Sequence, residues 1–430
     1  MPGRSAVAIV AGLLVVTTLT VPVLAQDEAQ PDDDAPAGEA AGHVPSPPDY
    51  RWHQPRKNAR RAPRGELYPS QEDWNPLAGP TRGLKDKLKE VGITFDLELS
   101  FLGQYASDVV SGKDILGSFQ WELTGDWELL SSTDLGDGYL AWTLFGGVGL
   151  NYDAESETLS TNVGSISGLN SLDFMNDPVI VDELFWKQKL EDGKLIVIAG
   201  KVDMSYHFDT NRVANNQFDQ FNALALTNNA SIPFPAYGGF GGLLRANIGD
   251  NAYLMVGMGD SSGSNAVAPW VTVDNNSWYQ CLEFGLTVDL GGLGKGTYRI
   301  TPWHNRLLGA DGWGLGLSFD QELGKDGLIG FFRFGIGDQD VTPTKTFVSG
   351  GLALDGPFGR EHDTVAIGVS WSDPSSGVGV RAETLIEAYY QIQLSPSVYL
   401  SPGVQVVLNP AATRAIDSSV VAGVRLTLRF

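Results

Sequence analysis

The feature that most limits what this chain can become is a period of two. Ile93, Phe95, Leu97, Leu99 and Phe101 are apolar, and Thr94, Asp96, Glu98 and Ser100 between them are polar. Successive side chains of a strand point to opposite faces, so this spacing puts a greasy face on one side and carboxylates on the other. The pattern recurs to the end of the chain. Phe119, Trp121 and Leu123 alternate with Gln120, Glu122 and Thr124; Leu282, Phe284, Leu286, Val288 and Leu290 alternate with Glu283, Gly285, Thr287 and Asp289. Trp313 to Phe319 and Val365 to Trp371 repeat it. Between the runs stand Gly136-Asp137-Gly138, Asp192-Gly193, Gly249-Asp250 and Asp326-Gly327, which are hairpin signals.

A soluble sheet and a membrane barrel both satisfy such alternation, and two features choose between them. After residue 25 no apolar run approaches the roughly 20 residues of a spanning helix, so membrane residence requires a closed barrel. The last strand alternates Val420, Ala422, Val424, Leu426 and Leu428 with Val421, Gly423, Arg425, Thr427 and Arg429, and stops on Phe430. A terminal amphipathic strand ending in an aromatic is the expected insertion signal of bacterial outer-membrane barrels. Residues 92–430, at roughly 20 per strand with its connection, hold about 16 strands, a number that leaves an aqueous channel open. The expected fold is all-β: a transmembrane antiparallel barrel of about 16 strands preceded by a short N-terminal periplasmic helix.

The N-terminal quarter is of another kind. Arg4 precedes the uncharged stretch Ser5 to Leu24, which closes on Val23-Leu24-Ala25, so residues 1–25 read as a secretory leader. Residues 26–74 read as a Pro-rich periplasmic extension that does not fold by itself. It is first acidic (Asp27, Glu28, Asp32, Asp33, Asp34, Glu39, Asp49) and then basic (Arg51, Arg56, Lys57, Arg60, Arg61, Arg64). The basic run reads either as a contact to peptidoglycan or as a solvated linker. In residues 75–91, Leu84, Leu88 and Val91 fall at i, i+4 and i+7 of a short basic helix, which Gly92 ends.

Composition removes several functions. A formal net charge of −22 excludes a partner that must have its phosphates neutralised, so no nucleic acid is expected. The single Cys281 makes neither an internal disulfide nor a multi-cysteine zinc site. The five His are scattered, and no metal or cofactor is expected. Ser205 and His207 lack an acid set to orient the imidazole. Glu383 and Glu387 on one strand lie roughly 13 Å apart, too far for either glycosidase geometry. Gly146, Gly147 and Gly149 are followed by no P-loop Lys. An enzyme is not expected.

Ala199-Gly200-Lys201-Val202-Asp203, Phe208-Asp209-Thr210-Asn211, Gln220-Phe221-Asn222 and Ile232-Pro233-Phe234-Pro235-Ala236-Tyr237-Gly238 resemble the carbohydrate-selective porin (OprB-type) family. So do Glu383 to Gln391, Pro402-Gly403-Val404-Gln405, Asn409-Pro410 and the closing Gly423-Val424-Arg425 to Phe430. The piece Gly83-Leu84-Lys85 to Gly92-Ile93 is similar to the family's N-terminal plug segment, with Pro80-Thr81-Arg82-Gly83 where the family usually carries Trp-Gly-Gly. The resemblance covers about residues 75–430. It implies a 16-stranded outer-membrane channel passing mono- and small oligosaccharides passively.

With the apolar face against lipid, parity names the candidate pore lining. Arg299 and Trp303 share one face; Glu383, Glu387, Tyr389 and Gln391 share another. Lys201 and Asp203 fall opposite Ile198 and Val202, Arg245 and Arg333 stand between apolar neighbours, and Glu183 completes the set. Each is expected either to meet sugar or to stiffen the wall as an ion pair. The Asn-rich stretch Asn211 to Asn229 reads equally as a constriction loop and as a solvated extracellular loop. Two other functions fit the same sequence: a general, cation-preferring porin, and an envelope-tethering structural protein.

Overall fold

The computed structural model describes residues 78–430 apart from 134, 155–156, 171, 173–176, 236, 264–275, 308 and 325. The leader and the extension lie outside the described residues. A helix, α1 (Ala78–Lys89), leads into β1 (Ile93–Ala106), β2 (Ile115–Thr133), β3 (Gly136–Gly149) and β4 (Ile180–Leu190). There follow β5 (Leu195–Val202), β6 (Gly239–Ile248), β7 (Ala252–Asp260), β8 (Trp278–Asp289), β9 (Lys295–Leu307) and β10 (Ala310–Glu322). The chain closes with β11 (Leu328–Gly337), β12 (Thr344–Asp355), β13 (Thr364–Pro374), β14 (Glu383–Ser395), β15 (Val398–Leu408) and β16 (Ser418–Arg429). Every strand pairs antiparallel with its neighbours in sequence, and β16 returns to β1, with Glu98 opposite Arg429 and Ala106 opposite Val421. The barrel of 16 strands expected from the alternation is therefore the one observed, and closure leaves no strand edge unpaired in lipid.

The apolar positions named by parity stand on the outside. Phe101, Phe284, Phe332, Ile367, Val369 and Val424 are all exposed, although large and hydrophobic, as a lipid-facing band requires. Their polar neighbours Ser100, Glu283, Arg333, Ser370 and Arg425 are buried inside. Connections are short at one end, at 191–194, 249–251 and 396–397, and long at the other, at 150–179, 203–238 and 261–277. In bacterial barrels the short turns are periplasmic and the long loops extracellular. The end that carries α1 and Phe430 is the short-turn end.

α1 ends as its sequence indicates: Gly92 takes φ +82°, and its N–H donates to the carbonyl of Lys89. Its hold on the barrel is polar. Lys85 Nζ donates to Asp96 of β1 at 3.0 Å and lies 5.3 Å from the centre of the Phe95 ring, while Leu84 stays 46% exposed. The apolar edge read from the sequence is thus not the docking face.

One periplasmic turn is set by a carboxylate. Asp363, between β12 and β13, accepts from Arg360, from Tyr390 Oη at 2.6 Å and from the Gln393 N–H at 3.0 Å. Burial pushes its pKa up, but these donors outweigh it and hold the carboxyl below its ordinary range. A lowered native pKa stabilises the fold above the unfolded value, about 3.9 for Asp, and the contribution is lost as pH falls through the native value. Asp363→Asn is therefore expected to melt lower than the parent at pH 7, with the gap closing below about pH 4; melting followed by circular dichroism at both pH values checks it, and a gap that persists in acid refutes it.

Candidate pore and its internal loop

The segment 203–238 between β5 and β6 is folded back into the barrel, where it is held by inward-pointing charges from strands right around the wall. On β11, Arg333 is fully buried: its Nε donates to Asp209 Oδ2 at 3.0 Å, and its terminal nitrogens donate to the carbonyls of Ala214 and Leu226 at 2.6 and 3.2 Å. Glu387 on β14 accepts the N–H groups of Asn222 and Ala223 at 2.6 and 2.9 Å. From β16, Arg425 donates to Asn222 Oδ1 at 2.8 Å and to the Gln220 carbonyl at 2.6 Å, and Thr427 donates to the Phe218 carbonyl at 2.7 Å. Glu283 on β8 accepts from the Asp209 N–H at 2.6 Å and the Thr301 hydroxyl at 2.8 Å. An irregular loop has no ladder of its own, so its amides and carbonyls must find partners inside the barrel, and charged side chains are the strongest available.

The loop also supplies apolar cores that alternation does not announce. Phe221 meets Tyr389 edge-on at 5.1 Å and Phe331 at 5.6 Å, in a cluster with Val213, Leu226 and Leu385. Phe208, Met204 and Ile232 pack with Ile198, Val202, Leu243 and Met255 in a second. Burying each large side chain contributes about 1.5–3 kcal/mol, so the loop is anchored by packing as well as by charge. Asn211, Asn215, Asn222, Asn228 and Asn229 are buried. Of the two readings of the Asn-rich stretch, the solvated extracellular loop is excluded.

The sequence-named candidates divide accordingly. Arg299, Arg245, Tyr389 and Glu183 line open cavities inside the barrel. Glu387, Gln391 and Arg333 point inward but lie buried beneath the loop, where Gln391 Nε2 donates to the Asp219 carbonyl at 3.0 Å. Glu383 is buried too: it accepts from the Ser165 and Ser167 hydroxyls and from the N–H groups of Ile166 and Ala411, tying down the 150–179 and 409–417 connections. Trp303 is not an open lining group either. Its indole packs over Gly314 and Gly337, each too close to it for a Cβ.

Lys201 and Asp203 correct the parity argument. Ile198 and Val202 are buried inward in the second apolar cluster, and Lys201, whose backbone pairs with exposed Leu184 and Phe240, is itself buried and faces no open lumen. The assumption that apolar means outward fails on β5, because the loop turns that part of the lumen into a core. Asp203 caps the short helical turn Met204–Tyr206, accepting the Ser205 N–H at 2.8 Å.

Among the described residues, cavities inside the barrel open toward the short-turn end. One, about 1050 Å³, is faced by Arg212, Asp219, Arg299, Asp320, Glu322 and Tyr389, among others. Across it runs a row of ion pairs: Arg299 Nη1 to Asp320 Oδ2 at 3.0 Å, Arg212 Nε to Asp320 Oδ1 at 3.5 Å, and Arg212 Nη1 to Glu322 Oε1 at 2.7 Å. A second, about 350 Å³, lies between β1, β4 and the loop, where Arg429 Nη2 stands 2.9 Å from Asp219 Oδ2 and His207 Nε2 3.1 Å from Glu183 Oε1, so the imidazole does meet an acid, one supplied by β4 and not by its own neighbours in sequence. A third, about 530 Å³, holds Arg245, Tyr253 and Arg299. Asp320 and Arg429 share the parity of Arg299 and Arg425 and were within reach of the same rule; Arg212 and Asp219 belong to the loop and had no periodic signal.

This geometry, a closed 16-stranded barrel with an inward loop and a charged lumen, is matched from two directions. The family model for the carbohydrate-selective porin, OprB family, fits residues 304–430, which run from β9 to the C-terminus. Residues 304–430 resemble OprB-family porin sequence. The solved barrel of Pseudomonas putida OprB in its high-pH form superimposes with a TM-score of 0.69 at 16% identity, covering 82% of this chain and 97% of that one. Its low-pH form gives 0.56 at 18% identity, covering 82% and 98%. At these identities the likeness is one of fold. Among curated proteins, Porin AaxA of Chlamydia abortus is 24% identical over 315 residues, 70% of this chain and 67% of that protein. An uncharacterised protein of Aquifex aeolicus is 25% identical over 234 residues, 54% of this chain and 64% of its own length. The chain spans about two thirds of the length of these curated relatives. A closed barrel of 16 strands with a lipid-facing apolar wall is a protein of the bacterial outer membrane.

Proposed function

We propose that the protein is a channel, not an enzyme, through which mono- and small oligosaccharides diffuse passively across the outer membrane. The observation that carries this reading is the row Arg299, Asp320, Arg212 and Glu322 along the cavity of about 1050 Å³. A sugar is neutral and covered with hydroxyls, so a wall offering donors and acceptors in adjacent pairs replaces its water without trapping an ion. The family that residues 304–430 resemble supports the same substrate class.

Liposome swelling with a graded sugar series tests it. Swelling is expected with glucose and maltose and is expected to fall with oligosaccharide length; no swelling with any sugar overturns the reading. The cation-preferring alternative rests on the same cavity, where Asp219, Asp289, Asp320, Glu322 and Asp355 face Arg212, Lys295 and Arg299. A reversal potential showing cation preference, together with no sugar-dependent block of current, would favour it. We further propose a leader at 1–25, a periplasmic extension at 26–74 that contacts peptidoglycan, a helical segment at 75–91 and the barrel at 92–430. Deleting residues 26–74 is expected to leave sugar flux unchanged while weakening retention on purified peptidoglycan, and unchanged retention would refute the contact.

A further inference from the structure

Among these cavities, the one of about 530 Å³ has a charge balance opposite to that of the whole chain. Lys194, Arg245 and Arg299 face it against Asp192 and Asp250, in a protein of formal net charge −22. Both acids sit at the mouth, in the turns 191–194 and 249–251, whereas Arg245 and Arg299 stand deeper, on β6 and β9.

The two guanidiniums flank one aromatic ring. Arg245 Cζ lies 4.0 Å from the centre of the Tyr253 ring, and its Nε donates to Asn247 Oδ1 at 3.0 Å. Tyr253 pairs with Gly285 and Gly285 with Arg299, and a Cβ on Gly285 would stand 2.2 Å from the ring. The ring therefore lies across the wall from Arg245 toward Arg299, its hydroxyl donating to Glu283 at 2.7 Å.

Spare donors remain. Arg299 spends Nη1 on Asp320, while its buried Nε meets no acceptor among the described residues. The terminal nitrogens of Arg245 likewise have no acceptor among the described residues. The hydroxyls of Thr287 and Thr297, 3.2 Å apart, complete the wall. A neutral sugar matches donors and acceptors in pairs; here donors are in excess and charged. The planar guanidinium is the side chain best shaped for a carboxylate, and the volume is that of a small-molecule site.

The geometry points to this recess as a binding step, on the short-turn side of the pore, for monosaccharides that carry one carboxylate. This inference rests on the sugar-passing reading of the channel. The test uses the full-length protein in planar bilayers at constant ionic strength, with gluconate, glucose and glucose 6-phosphate each added from the short-turn side. Arg245→Met keeps the aliphatic stem and removes the charge, and heat-modifiable migration on gels establishes that the variant barrel is folded. In the parent, gluconate is expected to block ion current at a concentration about tenfold below that of glucose, the ratio of one charge-assisted hydrogen bond. In the variant this ratio is expected to collapse toward one. Equal block by gluconate and glucose in the parent, or an unchanged ratio in the variant, overturns the inference. Tighter block by glucose 6-phosphate than by gluconate overturns the choice of carboxylate. Block by glucose without block by gluconate sinks this inference alone, and no block by any of the three sinks the sugar-passing reading with it.

Discussion

Arg333→Met is expected to release the internal loop while leaving the barrel closed. The buried guanidinium joins Asp209, Ala214, Asn215 and Leu226, so one side chain clasps two separate stretches of the segment that crosses the lumen. Met retains most of the volume but returns nothing to these groups, and Asp209, itself fully buried, loses the arginine that faces it at 3.0 Å. Removing one partner of a buried ion pair costs about 3–5 kcal/mol. At 1.4 kcal/mol per tenfold, the undocked population rises by roughly two to three and a half orders of magnitude. The strand ladder is untouched, because Arg333 keeps its backbone pairing to Ser318 and Ser349 in any side-chain variant. Single-channel conductance is expected to rise and become noisy, and protease is expected to cut within 203–238, while heat-modifiable migration on gels persists. Adding Asp209→Asn to the variant removes the stranded charge and is expected to restore part of the docking. An unchanged conductance in Arg333→Met would show that the arginine does not hold the loop.

The barrel was legible because its physics is periodic. A strand in a membrane wall has one face in lipid, and Phe284, Ile367 and Val424 obey that rule as the alternation demands. The lining was only half legible, for a reason seen on β5. Inward does not mean wet: where the loop covers the wall, Ile198 and Val202 turn in to pack with it, and that part of the lumen becomes an apolar core. Arg333, Glu387 and Gln391 were placed on the right face, but parity carries no information about what lies above them. That depends on a non-periodic segment whose contacts are distant in sequence, such as Asn222 to Arg425 and Phe218 to Thr427.

A signal for the loop was nonetheless present, in glycines at inward positions of the strands. Gly is unfavourable within a strand unless another backbone or side chain approaches closely. Gly257 lies under Phe208, Gly316 under Ile232, and Gly368 under Phe221 and Leu226. The tightest of these seats is Gly335. A Cβ there would stand 1.8 Å from Ser231 Oγ and 2.3 Å from Asn229 Oδ1, at the point where Asn229 Nδ2 donates to the Phe334 carbonyl at 2.9 Å.

Gly335→Val therefore separates two effects of opposite sign. Valine suits a strand better than glycine, so the β10 to β11 pairing is expected to hold or strengthen. The loop, however, cannot share the space, and overpacking of this kind costs about 1–3 kcal/mol, all of it levied on the docking of Asn229 to Ile232. The expected phenotype is a barrel that melts no lower than the parent but conducts more and is cut by protease within 203–238, a weaker form of the Arg333→Met result. Gly330→Val is the matched control. It lies on the same strand with outward parity, where the nearest atom to a Cβ is the flexible end of the Leu323 side chain at 3.3 Å and none belongs to the loop, and it is expected to change neither conductance nor cleavage. If the two glycine variants behave alike, the inward glycines are not seats for the loop. The lumen would then owe its shape to the charged clasps alone.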